Sequence, residues 1–187
     1  MSRLRRSDDG PPWTSSFRPP TPPVTERMRL VPLGPHVVQL DYLAIMGSRQ
    51  RLRRELDWRG WPRNDFTLED NEADLAEHFA EFQRGEAYAY SVLNPDESTC
   101  LGCIYLEPWT PGAQLALWVV DAEVPMGLEL HLLRTLVPWL AGWPLPAVRV
   151  PVRASNPRLQ AVLRDLECPA VDGPPDHQSF LLLRRGS

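Results

Sequence analysis

Glu107 is the first residue whose type and setting suggest chemistry. It ends the apolar run Cys103-Ile104-Tyr105-Leu106 and stands two residues before Trp109. Apolar neighbours favour the neutral acid and suit a carboxylate that exchanges a proton with substrate. A solvated carboxylate at a strand end is the other reading of the same residue. Tyr105, Tyr88 and Tyr90 occupy neighbouring apolar runs, where a phenol can bond a substrate, act as an acid or simply pack. Trp58 and Trp61 in the Pro/Gly loop, with Trp109, are of a type that stacks on an acceptor or plugs the domain's own core. Glu69, Asp70, Glu72, Asp74, Glu77 and Glu81 would attract a cation, but Glu72 and Asp74 do not share a helix face, so most of the series reads as solvated surface. Cys100 and Cys103 have redox-motif spacing; on a flat strand they face opposite sides, and without a second such pair zinc is not expected. His36, His78, His131 and His177 are isolated in sequence and carry no ligand spacing.

The composition narrows the classes. All 20 basic residues are arginine, which excludes a lysine nucleophile, a Schiff base and a Walker A lysine. A net charge of -4 and a pI near 5.6 remove the global attraction that drives non-specific nucleic-acid binding. At 43% hydrophobic residues and a mean hydropathy of -0.32, the chain is neither disordered throughout nor a membrane protein by composition. Three cysteines, an odd number, suit a reducing compartment, and Arg3, Arg5 and Arg6 are followed by no apolar segment of a signal peptide. The expectation is a soluble cytoplasmic protein with no nucleic-acid or membrane partner.

These residues need positioning elements. Residues 1–26, rich in proline and short of apolar side chains, read as a flexible tail, and 27–187 as one domain. The periodicity predicts a strand over 28–33, a helix from Val37 through about 56 with a break at Gly47, and a second helix from Thr67 to Gly85. Strands follow over 87–93 and 100–106, joined by the turn Asn94-Pro95-Asp96-Glu97-Ser98, then over 114–120. A helix through Leu133, Leu136 and Leu140, kinked or shortened by Pro138, precedes a strand over 147–152, a helix over 156–166 and a last strand over 179–183. The order is β-α-α-β-β-β-α-β-α-β.

That order, across roughly residues 28–184, resembles the GCN5-related N-acetyltransferase (GNAT) superfamily. Leu115-Ala116-Leu117-Trp118-Val119-Val120 leading into a helix looks like that family's acetyl-CoA strand and pyrophosphate turn, and Val150-Pro151-Val152-Arg153-Ala154-Ser155-Asn156 resembles the strand-Asn-helix segment beside it. The resemblance implies a mixed α/β fold, with a mostly antiparallel central sheet, helices on both faces, and two splayed strands that take the pantetheine arm between them. It implies acetyl-CoA as cofactor, with Leu117, Trp118, Val119, Val120, Gly127, Leu128 and Asn156 along its path. Glu107 and Tyr105 become the candidate base and acid, and Trp58, Trp61, Tyr88, Tyr90 and Trp109 the acceptor contacts.

The family's glycine-rich turn is here Val124-Pro125-Met126-Gly127-Leu128-Glu129: one glycine remains, Pro125 has no N–H, and Glu129 puts negative charge where the phosphates would lie. Glu129 is equally a residue that complements the helix dipole. Leu163 stands where family members commonly have a tyrosine acid, and Asn156 before Pro157 is also an ordinary helix cap. The expected function is acetyl transfer to a small-molecule amine by a chain that forms a homodimer; the alternative is a non-catalytic binding module on the same fold.

Overall fold

The computed structural model describes residues 12–14, 16–56 and 58–184. The elements are β1 (Arg29–Pro32), α1 (Val38–Gly47), α2 (Arg49–Glu55), α3 (Leu68–Arg84), β2 (Tyr88–Leu93), β3 (Cys100–Trp109), β4 (Gly112–Val119), α4 (Leu128–Ala141), β5 (Ala147–Arg153), α5 (Pro157–Asp165), β6 (Ala170–Val171) and β7 (His177–Arg184). Local signals set several boundaries. Thr67 and Asp70 form a reciprocal capping box at the start of α3, with hydrogen bonds of 3.1 and 3.0 Å, and Gly85 closes that helix in the left-handed conformation. Asn156 caps α5 by accepting from the Leu159 N–H at 3.1 Å, with Pro157 in its first turn. Pro138 stays inside α4, which runs on to Ala141.

Seven strands form one sheet in the order β1-β2-β3-β4-β5-β7-β6. Every pairing is antiparallel except β4 with β5, and that pair is joined only at Ala113–Val148 and Gln114–Arg149. Gly112 permits the approach, because a Cβ there would lie 2.0 Å from the Ala147 carbonyl oxygen. Beyond Gln114 the two strands diverge, and Pro151 offers no N–H to a neighbouring ladder.

Strand alternation then assigns side chains to two layers. On the first face, Ile104, Leu115, Leu117, Val148, Val150 and Phe180 pack under α4 and α5. Cys103, Tyr105, Ala116 and Trp118 face the opposite layer, built from α1, α2 and Leu75 of α3. No helix among the described residues is long and apolar enough to cross a membrane.

Four expectations change. Residues 1–11 of the expected tail lie outside the described residues, but Trp13 is buried against Tyr88 and Trp143, donates from its indole to the Gly85 carbonyl at 2.7 Å, and is accompanied by Phe17. The segment gains burial through aromatic contacts that its proline content conceals. Strand β3 runs on through Glu107 to Trp109, because it pairs along its whole length with β4, so Glu107 lies inside a strand. A register shift in β3 brings Cys100 and Cys103 to the same layer. The two-residue strand β6 has no counterpart in the expected order.

Candidate active site

The divergence of β4 from β5 opens a cleft lined by Ala116 and Leu117 on one side and Val150 to Arg153 on the other. Trp58, Asn156, Leu159 and His177 complete its walls, and Glu55 stands at its edge. The part between the strands is largely apolar, which suits an uncharged chain; the polar groups gather at its two ends.

At the closed end, the register places Glu107, Gln114 and Arg149 side by side on β3, β4 and β5, all three facing the α1–α3 layer. Each is at least nine-tenths buried. Arg149 donates to Gln114 Oε1 at 3.1 Å, and Gln114 Nε2 in turn approaches Glu107 Oε2 at 3.5 Å. Burial pushes the Arg149 pKa down, and its guanidinium lies 4.3 Å from the centre of the Trp109 ring. Gln114 thus carries the influence of a cation to a carboxylate two strands away. Beside Glu107 on the same face of β3, Tyr105 accepts a hydrogen bond from the Trp118 indole at 3.3 Å and meets Trp58 edge-on at 5.5 Å between ring centres. Trp61 packs on Trp58 and Phe66.

At the open end, Glu129 in the first turn of α4 is buried and paired with Arg158 of α5. Arg158 also reaches Glu55 at 2.8 Å, and Glu55 pairs with Arg51 at 2.8 Å, one turn earlier on α2. Arg51 continues to the Val119 carbonyl and, at 2.6 Å, to Asp121. Burial pushes the Glu129 carboxyl up from its ordinary value, although Arg158 and Arg51 oppose the shift. The mouth of the cleft is therefore spanned by a chain of alternating charges connecting α5, α4, α2 and the end of β4.

Of the predicted residues Trp58 lines the cleft, with Trp61 packed behind it, while Glu107, Tyr105 and Trp109 lie on β3, one strand away, and Glu107 reaches the parting of β4 and β5 through Gln114. Tyr88 and Tyr90 are not brought there; they point into the other layer among Phe82, Trp139 and Trp143. Leu117 and Asn156 line the cleft, Trp118 and Val119 share the same strand, and Val120, Gly127 and Leu128 lie in or near the turn at its mouth. Sequence reasoning missed Arg51, Glu55, Gln114, Arg149 and Arg158. Two signals were present: Arg51 and Glu55 have salt-bridge spacing on a helix, and Gln114 and Arg149 interrupt otherwise apolar strands.

One parallel pair that opens inside an otherwise antiparallel sheet, flanked by α4 and α5, is the acyl-CoA N-acyltransferase fold of the GNAT acetyltransferases. No protein-family model matches the chain, and no curated protein matches it in sequence. Solved structures do match. A RimL ribosomal L7/L12 α-N-protein acetyltransferase in complex with coenzyme A superposes with a TM-score of 0.70 at 18% identity, over 85% of this chain and 93% of that one. A putative ribosomal-protein-serine acetyltransferase from Vibrio cholerae gives 0.68 at 16% identity, over 90% and 98%. The microcin C7 self-immunity acetyltransferase MccE, in complex with acetyl-CoA and AMP, gives 0.71 at 9% identity, over 84% and 92%. Likeness at these identities establishes the fold, and function has to be argued from the site.

Proposed function

We propose that the chain is an acetyl-CoA-dependent N-acetyltransferase that acts on a small amine. The observation that carries this reading is the buried Glu107–Gln114–Arg149 row at the point where β4 and β5 part. The solved relatives named above include enzymes of acetyl transfer, one with coenzyme A and one with acetyl-CoA bound.

The residues present fit the donor in its apolar part. Apolar walls from Ala116, Leu117, Val150 and Val152 match the chemistry of a pantetheine arm, whereas Arg51 and Arg158 at the mouth are paired with Glu55, Asp121 and Glu129, so phosphates would have to displace those carboxylates. Acetyl-CoA, when bound, supplies the acetyl group as a thioester. Glu107 accepts the proton of the substrate ammonium, so that the free amine can form its bond to the acetyl carbon. Gln114 orients the Glu107 carboxylate, and Arg149 orients Gln114. Tyr105 accepts from Trp118 through its oxygen, and its hydroxyl proton serves as the acid for the departing sulfur. Trp58 shields the acceptor from water at the cleft wall.

A second reading has its own support. Glu129 already occupies the start of α4 and is neutralised by Arg158, and Pro125 removes one backbone donor from the preceding turn. That arrangement suits a non-catalytic binding module that has given up the donor. Calorimetric titration with acetyl-CoA separates the two. Saturable binding of one donor per chain supports the enzyme, and no heat at millimolar ligand leaves only the module.

A further inference from the structure

Outside the cleft, the densest group of metal-ligating atoms among the described residues is Asp41 of α1 with Cys100 and Cys103 of β3. Their ligand atoms all lie within 4.8 Å of one another. Asp41 is 1% exposed, Cys100 3% and Cys103 0%, so the cluster is enclosed by protein. Cys103 Sγ lies 3.1 Å from Asp41 Oδ1, and Asn71 Nδ2 donates to Asp41 Oδ2 at 3.0 Å and to the Val38 carbonyl at 3.2 Å.

The backbone is arranged to bring the two sulfurs together. Ser91 pairs with Cys103 and Val92 with Gly102, but Leu93 pairs with Cys100, so Leu101 is an extra residue in β3. This bulge turns Cys100 to the same face as Cys103, a placement that a flat strand forbids at this spacing. Gly102 is required beside it, because a Cβ there would lie 2.1 Å from the Trp118 carbonyl oxygen.

Two further buried oxygens belong to the same neighbourhood. Asn71 Oδ1 and Ser91 Oγ are fully buried and have no hydrogen-bond partner among the described residues. Asn71 is the residue that holds Asp41, and Ser91 sits opposite Cys103 on the neighbouring strand. A buried polar atom left unsatisfied in a native fold calls for an explanation, and a bound ion or water is one of the few available. There is also a way in: Cys100 forms part of the floor of a surface groove whose walls include Leu43, Ala44, Thr99 and Val120.

We propose that Asp41, Cys100 and Cys103 hold one thiophilic divalent cation of the zinc class, with one of the two unsatisfied oxygens or a water as fourth ligand. Two sulfurs and a carboxylate oxygen match the borderline-soft preference of zinc, whose tetrahedral ligands lie about 2.0–2.3 Å from the metal and so about 3.3–3.8 Å from one another. The ion fastens α1 to β3 and is structural, since it lies away from the Glu107 row and leaves no open position facing the cleft. It is independent of the acetyltransferase reading.

The test uses the full chain, reduced and freed of metal, then loaded with zinc and measured by native mass spectrometry. The expected result is one ion per chain and a melting temperature that falls when a chelator is added. With cobalt as the probe, a thiolate-to-metal charge-transfer band should appear. Cys100→Ser, at the floor of the groove, should weaken uptake by roughly tenfold or more and remove part of that band, whereas Cys168→Ser should change neither. The proposal is overturned if the unsubstituted chain takes up no ion, if uptake is the same in Cys100→Ser, or if the thiols are lost to a disulfide with no metal bound.

Discussion

The two faces of the central sheet are built to opposite rules. Under α4 and α5 the sheet contributes Ile104, Leu106, Leu115, Leu117, Val148 and Val150, and the segment around Trp13 extends the same apolar layer. Under α1 to α3, by contrast, apolar packing is interrupted by Asp41, Asn71, His78, Glu81, Ser91, Glu107, Gln114 and Arg149, all buried. Buried polar groups destabilise unless they are bonded, and each constrains the side chains around it. Both faces have an apolar core, but within the sheet itself the polar groups concentrate on the second, where they can orient one another, bind a ligand or take a proton. On the first they are confined to the helices and their ends, such as Glu129 and Asn156. The cleft between β4 and β5 lies where the two layers meet, which gives it apolar walls and a polar end.

If that division holds, substitutions of apolar residues on the first face should damage folding and those of the sheet's polar residues on the second should damage function. The largest effect on stability belongs to Trp13→Ala, which empties a site enclosed by Tyr88, Phe17 and Trp143 and should cost about 3–5 kcal/mol in chemical denaturation. A loss near zero would mean that the segment adds nothing to the apolar layer. Arg158→Gln comes next. It leaves Glu129 without its cation and Glu55 with Arg51 alone among the two guanidiniums that bridge the mouth, and should cost about 1.5–3 kcal/mol at neutral pH, lessening as the solution is acidified.

Glu129→Gln should have a smaller effect, and in the direction of binding. Removal of a carboxylate from the start of α4 frees Arg158 for a phosphate, and should tighten CoA by about 1 kcal/mol at low salt and less at high salt. Unchanged affinity at low salt would separate the charge network from the donor site. The same variant has a pH signature. The Glu129 carboxyl is raised in the folded chain, so between its ordinary value of 4.5 and its folded value the native state binds more protons than the unfolded one. Stability contributed by this group is then greatest in acid and declines as pH rises through the folded pKa. Glu129→Gln should flatten that decline in melting temperature measured above pH 4.5. An identical pH profile would show that Glu129 titrates alike folded and unfolded.

Much of this is legible in the residues alone. The capping box at Thr67, the Asn156-Pro157 start of α5 and the apolar runs bounded by turn residues are local signals, and together they set out the order of elements from which the fold is read. What lies hidden depends on register. Gln114 and Arg149 are 35 positions apart and become neighbours only at the short parallel contact of β4 and β5, while the Leu101 bulge reverses the expected orientation of Cys100 against Cys103. Pro108 makes β3 look finished at Glu107, yet pairing with β4 carries the strand through it. Trp13 escapes notice for a related reason, since the aromatic pocket that receives it is assembled from Tyr88 and Trp143, far along the chain.

Glu107→Gln isolates the proposed proton acceptor, because it preserves size and hydrogen bonding to Gln114 while removing the basic oxygen. Turnover would be followed as free thiol release from acetyl-CoA across a panel of small amines and peptide α-amines, with donor affinity and melting temperature measured on the same protein. Turnover is expected to fall roughly a hundredfold, with donor affinity kept within about twofold and little change in melting. Turnover equal to that of the unsubstituted chain on its best amine would contradict proton acceptance by Glu107, and would leave the Glu107 row as a device for packing three strands.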